Sequence, residues 1–180
     1  MTNTTDFSRR KILGMGLACA GAAILPNAGL SAVSKGAYGL NMINGNTGEK
    51  FRHVILEDGT WIREALAEFD WFARDWRENA EYPIDPDNML SLVRLHKMMD
   101  TTQPMVLLSG YRTPKTNKNL RGAATHSLHM RGLALDITQP GRPTSSLLRA
   151  ARSLKVGGVG YYPSQNFVHI DTGSIRYWKG

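Results

Sequence analysis

His129, Asp136 and His169 are the side chains in this 180-residue sequence whose types and spacing could do chemistry. Imidazole nitrogen and carboxylate oxygen are donors that Zn²⁺ accepts. Three of them, with a fourth position left to water, is the arrangement of a catalytic zinc rather than a structural one. His129 and Asp136 lie within Ser127 to Asp136, which reads S-L-H-M-R-G-L-A-L-D. Gly132 permits a sharp bend between the two because it has no side chain to obstruct one. Another divalent metal could take the same donors, so the expectation of zinc rests on ligand type.

These residues need elements to hold them. Leu133, Leu135 and Ile137 alternate with Ala134 and Asp136, a strand period that sends Asp136 to the face opposite the apolar residues. Ala134 shares that face and is small enough to leave room for an ion. Phe167-Val168-His169-Ile170-Asp171 alternates in the same way, with His169 and Asp171 on one face. If the two strands lie side by side, His129, Asp136 and His169 converge. Upstream, the spacing of Ile62, Leu66, Phe69, Phe72, Ala73 and Trp76 predicts a helix over 61–77, capped by Asp58 or Thr60, with the Phe69, Phe72 and Trp76 stripe in the core. A second helix is expected from Asp85 or Asp87 through Met99, with Leu90, Val93, Leu95 and Met98 inward. His96 on it is read as structural or superficial. Pro104 to Leu108 reads as a buried strand that ends in the turn Ser109-Gly110-Tyr111-Arg112. Polar residues 115–125 form a loop or short helix over the site. Thr144 caps a helix to Leu154. Lys155 to Gly160 is a glycine-rich entry to a strand, and Tyr161 to Asn166, with Tyr162 among them, form a turn at the rim. Ile175 to Trp178 ends the sheet.

The pattern S-x-H-x-x-G-x-A-x-D resembles the signature of the zinc peptidase superfamily that contains D-alanyl-D-alanine carboxypeptidases, L,D-acting murein endopeptidases and the hedgehog signalling domain. The resemblance is closest to murein endopeptidase K and its relatives. It extends over Asn46-Thr47-Gly48-Glu49, Phe72 to Arg77, Ser109 to Arg112, the zinc motif, and Gly157 to Pro163 running into His169. It implies a single α+β domain with a central, mainly antiparallel sheet flanked by helices, similar to the hedgehog and D-Ala-D-Ala peptidase folds. It implies zinc held by His129, Asp136 and His169, and peptide cross-links of peptidoglycan as substrate. Arg112 matches an arginine that contacts substrate and the developing oxyanion; the residue could also simply bond turn carbonyls. His126, three residues before His129, and Tyr162 are candidate substrate contacts. Many superfamily members carry Glu or Asp three residues before the last histidine ligand. Here that position is Asn166, which cannot act as a base. Asp171, two residues beyond His169 on the same strand face, either serves as the base or orients His169. A D,D-carboxypeptidase acting on stem peptides and a non-catalytic zinc-containing cell-wall module are the alternatives.

Charge and compartment fit this reading. The formal net charge is +7, and loss of residues 1–32 removes a net +2. A basic surface favours an anionic partner. Stem-peptide carboxylates satisfy that as well as nucleic acid does, and a polymer-binding protein would leave the motif unexplained, so no nucleic-acid partner is expected. Ser8-Arg9-Arg10-Lys11 followed by a weakly apolar run to Leu25 resembles a twin-arginine export signal. Residues 1–32 are read as that signal, 33–50 as a linker and 51–180 as the zinc peptidase domain, exported to the periplasm. The apolar run is too short for a stable membrane span. Cys19, the only cysteine, lies within the signal, so neither a disulfide nor a cysteine nucleophile is expected in the mature protein.

Overall fold

Alternating and β-branched runs supply eight strands, and apolar stripes at helical spacing supply the helices between them. A computed structural model describes residues 36–180. In chain order the elements are β1 (Ala37–Asn44), β2 (Lys50–Glu57), β3 (Thr60–Trp61), α1 (Arg63–Phe72), α2 (Pro86–Met98), β4 (Met105–Ser109), α3 (Pro114–Asn119), β5 (Ala134–Thr138), α4 (Thr144–Leu154), β6 (Gly158–Tyr162), β7 (Phe167–Asp171) and β8 (Arg176–Lys179). A 3₁₀ turn, Leu128–Arg131, precedes β5. All eight strands join one sheet in the order β3-β2-β1-β4-β5-β7-β6-β8. The pairs β1–β4 and β6–β8 are parallel, and the other five are antiparallel. The expected α+β architecture with a mainly antiparallel sheet is therefore the one observed. The proposed signal at 1–32 lies outside the described residues. Among those described, no helix is long and apolar enough to cross a membrane.

The sheet's two faces divide the labour. Leu135, Ile137, Val168 and Ile170 are almost fully buried, and α4, with Leu147, Ala150 and Ala151 buried, packs on β6 and β7. The alternate positions, Asp136, His169 and Asp171, face the other way, as strand geometry requires. At the other end of the sheet, Phe51 meets Phe69 edge-on at 5.1 Å and Phe72 at 5.6 Å, which seats α1 against β2.

Several local expectations are corrected. The stretch read as a linker, 33–50, contributes β1, whose Leu40 and Met42 are buried between β2 and β4. The glycines and asparagines there belong to the β1–β2 hairpin rather than to a tether. Helix α1 ends at Phe72, not near Arg77, and Trp76 is 40% exposed rather than in the core. Neither Asp58 nor Thr60 caps α1: its N-cap is Ile62, with no side-chain bond. Thr144 is the first residue of α4 after an N-cap at Pro143, and its hydroxyl donates to Asn166 instead. On α2, Asp85 is the cap as expected, but Met98 is exposed, and Met89, Leu92 and Met99 fill the core beside Leu90 and Leu95.

The early stop of α1 has a physical cause. The Ala73 carbonyl accepts from Tyr111 N, and buried Asp75 accepts from Thr113 N at 2.9 Å and Arg77 N at 3.1 Å. Continuing the helix would withdraw the acceptors that anchor the Arg112 turn. Burial pushes the Asp75 pKa up, but the hydrogen bonds it accepts outweigh this and leave it below the usual aspartate value. Its contribution to stability is then present above the unfolded pKa and lost as pH falls through the folded one. Asp75→Asn should cost about 2 kcal/mol at neutral pH, because two backbone donors compete for one amide oxygen. Urea unfolding should show that deficit begin to shrink as pH drops below about 4, where the carboxyl of the unfolded chain protonates, and fade at the lower pH where the folded one does.

Candidate metal centre

The site is assembled from the middle of the sheet. In the β5–β7 register Asp136 lies directly opposite His169. His129 reaches the same spot from the 3₁₀ turn, whose start Ser127 caps by accepting from His129 N. Gly132 closes that turn at φ 67°, a left-handed conformation that costs glycine least. A Cβ there would also stand 2.0 Å from the Pro83 carbonyl oxygen, so the bend needs glycine on both counts.

The donors are spaced for one ion. His129 Nε2 lies 3.2 Å from His169 Nδ1 and 3.3 Å from Asp136 Oδ1, and His169 Nδ1 lies 2.9 Å from Asp136 Oδ1. Tetrahedral zinc with bonds of about 2.0–2.1 Å separates its ligands by about 3.3 Å. All three side chains are nearly sealed from solvent. The tautomers also fit. His129 Nδ1 donates to the Gly110 carbonyl at 2.7 Å, leaving the Nε2 lone pair aimed inward. His169 Nε2 donates to Asp171 Oδ2 at 3.0 Å, leaving Nδ1 aimed at the same point. Two imidazole nitrogens and a carboxylate oxygen thus converge on one spot, an arrangement that a bound cation satisfies. Burial pushes the His129 pKa down, toward the neutral form a ligand needs. Burial opposes ionisation of Asp136, but hydrogen bonds and positive charge from protonated imidazole outweigh it and hold that pKa far below the usual range, so the carboxylate is ionised as a ligand must be.

Arg112, the residue singled out at the end of β4, sits on the outer edge of this group. Its Nη2 pairs with Asp136 Oδ2, the oxygen turned away from the histidines, and its Nε donates to Ser109 Oγ at 2.8 Å. Its backbone N–H donates to the His129 carbonyl. The separated sequence blocks meet around this arginine. Asn46 Nδ2 donates to Leu108 O, Arg74 pairs with Glu49, and Asp75 holds Thr113.

Other expected site residues lie differently. Asp171 is fully buried and saturated: Oδ2 accepts from His169 Nε2 and Arg176 Nη2, and Oδ1 from Gly158 N, Gly173 N and Arg176 Nη1. Those donors outweigh the effect of its burial and keep its pKa well below the carboxylate norm. This geometry orients His169. Tyr162 is half-buried, stacked on Phe167 at 4.4 Å, and its hydroxyl accepts from Trp178 Nε1. His126 is exposed and stands outside the three-ligand group. Helix α3 fills part of the 115–125 stretch, with Lys115 paired to Glu78. A separate cavity of about 500 Å³, lined by residues including Phe51, Trp71 and Phe72, contains none of the ligands. Arg176 and Trp178 were not anticipated. The available signal was the pair of glycines at 158 and 160, which leaves space for them.

The chain is similar to known proteins along nearly its whole length. The family model described as peptidoglycan L,D-endopeptidase MepK matches residues 32–178. The peptidoglycan L,D-endopeptidase MepK of Escherichia coli is 40% identical over 178 residues, covering 96% of this chain and 98% of that protein. The protein of the same name from Shigella flexneri matches equally well. A probable peptidoglycan L,D-endopeptidase MepK from Haemophilus influenzae is 34% identical over 184 residues, covering 99% of each.

Proposed function

This chain belongs to the family of peptidoglycan L,D-endopeptidase MepK, which makes it a peptidase, and we infer that it is a zinc-dependent endopeptidase cutting peptide cross-links of peptidoglycan. The observation that carries the zinc assignment is the convergence of the three ligand atoms, each histidine presenting its free lone pair because the other nitrogen is already bonded. Zinc bound there would lower the pKa of a coordinated water toward neutrality and polarise the scissile carbonyl.

The remaining roles belong to the protein's own side chains. Arg112 neutralises Asp136 and sets a cation beside the ion position, where a carbonyl oxygen gaining charge would be stabilised by a few kcal/mol. Asp171 holds the Nε2–H of His169, and we assign it that orienting role in preference to proton abstraction, since hydrogen bonds already occupy both of its oxygens. The exposed His126 is the residue we assign to meeting the incoming peptide. Tyr162, locked by Trp178 and Phe167, is assigned to the wall beside His169. The L,D designation of the relatives supports an L,D bond as the one cut. Arg9 and Arg10 support export to the periplasm by the twin-arginine route.

Digestion of purified sacculi tests this reading. The zinc-loaded protein is expected to release muropeptides whose masses correspond to opened cross-links, and chelation should stop release until zinc is restored. Loss of single terminal D-Ala residues, with cross-links intact, would identify a carboxypeptidase instead.

A further inference from the structure

We propose that the edge strand β8 is a clamp for the metal-ligating histidine: Arg176 and Trp178 are positioning residues that fix the His169 imidazole. This rests on the zinc reading given above. β8 runs parallel to β6, with Arg176 in register with Gly158 and Trp178 with Gly160. Both partners lack side chains, and the space is filled. A Cβ on Gly158 would lie 2.4 Å from Arg176 Nη1, and one on Gly160 would lie 2.5 Å from the Trp178 indole. The two β8 side chains therefore cross β6 and reach β7, one strand further in.

What they reach is His169 and its partner. Arg176 donates from Nη1 to Asp171 Oδ1 at 3.0 Å and from Nη2 to Oδ2 at 2.7 Å, a two-pronged contact that fixes the carboxylate plane. Asp171 Oδ2 in turn accepts from His169 Nε2. The Trp178 ring lies 5.1 Å from the His169 ring, and its Nε1–H is anchored on Tyr162 OH at 2.9 Å. One β8 residue thus sets the hydrogen bond to Nε2, and the next outward one packs against the ring. Nδ1 alone is left for the ion. A ligand held in its bonding orientation before the ion arrives loses less entropy when it binds, which strengthens binding.

Zinc affinity, measured by chelator competition, and the melting temperature of the metal-free protein test the clamp together. Arg176→Ala and Trp178→Ala should each weaken zinc binding about tenfold. Arg176→Lys keeps a cation beside Asp171 but loses the fork, so it should recover the metal-free melting temperature without recovering the affinity. Should Arg176→Ala fail to fold, the zinc affinity of Arg176→Lys alone decides whether the fork positions His169. Trp178→Phe retains a ring against His169 and should restore most of the affinity. Gly160→Ala, which displaces the indole without removing it, should weaken binding as Trp178→Ala does. Wild-type affinity in all of these variants, with only the melting temperature lowered, would overturn the clamp and leave β8 as an edge strand alone. Equal zinc binding by wild type and His129→Ala would instead overturn the metal site itself, and the clamp with it.

Discussion

His129→Ala should retain no stoichiometric zinc and release no muropeptide above background from sacculi. The histidine is 2% exposed, and its Nε2 lies within 3.3 Å of both other donors. Removing it leaves one imidazole and one carboxylate, too few protein donors for a zinc site that keeps a position for water. The metal supplies several kcal/mol of charge stabilisation in such hydrolyses, so the loss in rate should be at least about a thousandfold. The substitution also orphans the Gly110 carbonyl and opens a buried void, at a cost of about 2–3 kcal/mol in folding. Metal content, circular dichroism and muropeptide release measured on one preparation separate these effects. A folded variant without zinc that still digests sacculi would refute metal-assisted hydrolysis.

The reason this site was legible in sequence is that two periodicities coincide at it. Alternation at 133–137 and at 167–171 sends Asp136 and His169 to the same side, and the register then sets them face to face. Gly132 was visible because a bend beside a ligand has few other solutions. The segments misread are those where a polar side chain, not an apolar stripe, decides the backbone. Trp76 continues the helical spacing, yet buried Asp75 stops α1 by serving the Arg112 turn. Nothing in the spacing distinguishes an aspartate 2% exposed from one in solvent. Strand β1 was hidden for a related reason: its Gly39 and Asn41 read as tether composition, while Leu40 and Met42 take the buried positions. Arg176 and Trp178 act across an intervening strand, and their sequence trace is an absence, the missing side chains of Gly158 and Gly160. Contacts that skip a strand leave no local periodicity to find.

Asp171→Asn should weaken zinc binding by about 10–100-fold while leaving turnover measurable at saturating zinc. Five hydrogen bonds end on this carboxylate, from His169, Gly158, Gly173 and both terminal nitrogens of Arg176. An amide offers one accepting oxygen and points an NH₂ group at donors on its other side. Either His169 Nε2–H or the Arg176 fork then loses its acceptor. Losing the fork leaves the Arg176 cation beside a neutral group, at a cost of about 1 kcal/mol in stability, since its side chain is 42% exposed and water takes up part of the loss. If His169 loses its acceptor, the ring is free to turn and Nδ1 no longer points reliably at the ion position. A general base would behave in the opposite way. Its amide counterpart would keep zinc at wild-type affinity and lose activity at every zinc concentration. Zinc titrations of muropeptide release therefore distinguish the two roles by shape: a curve shifted to higher zinc that still rises supports orientation, and a flat line with zinc fully bound supports proton abstraction.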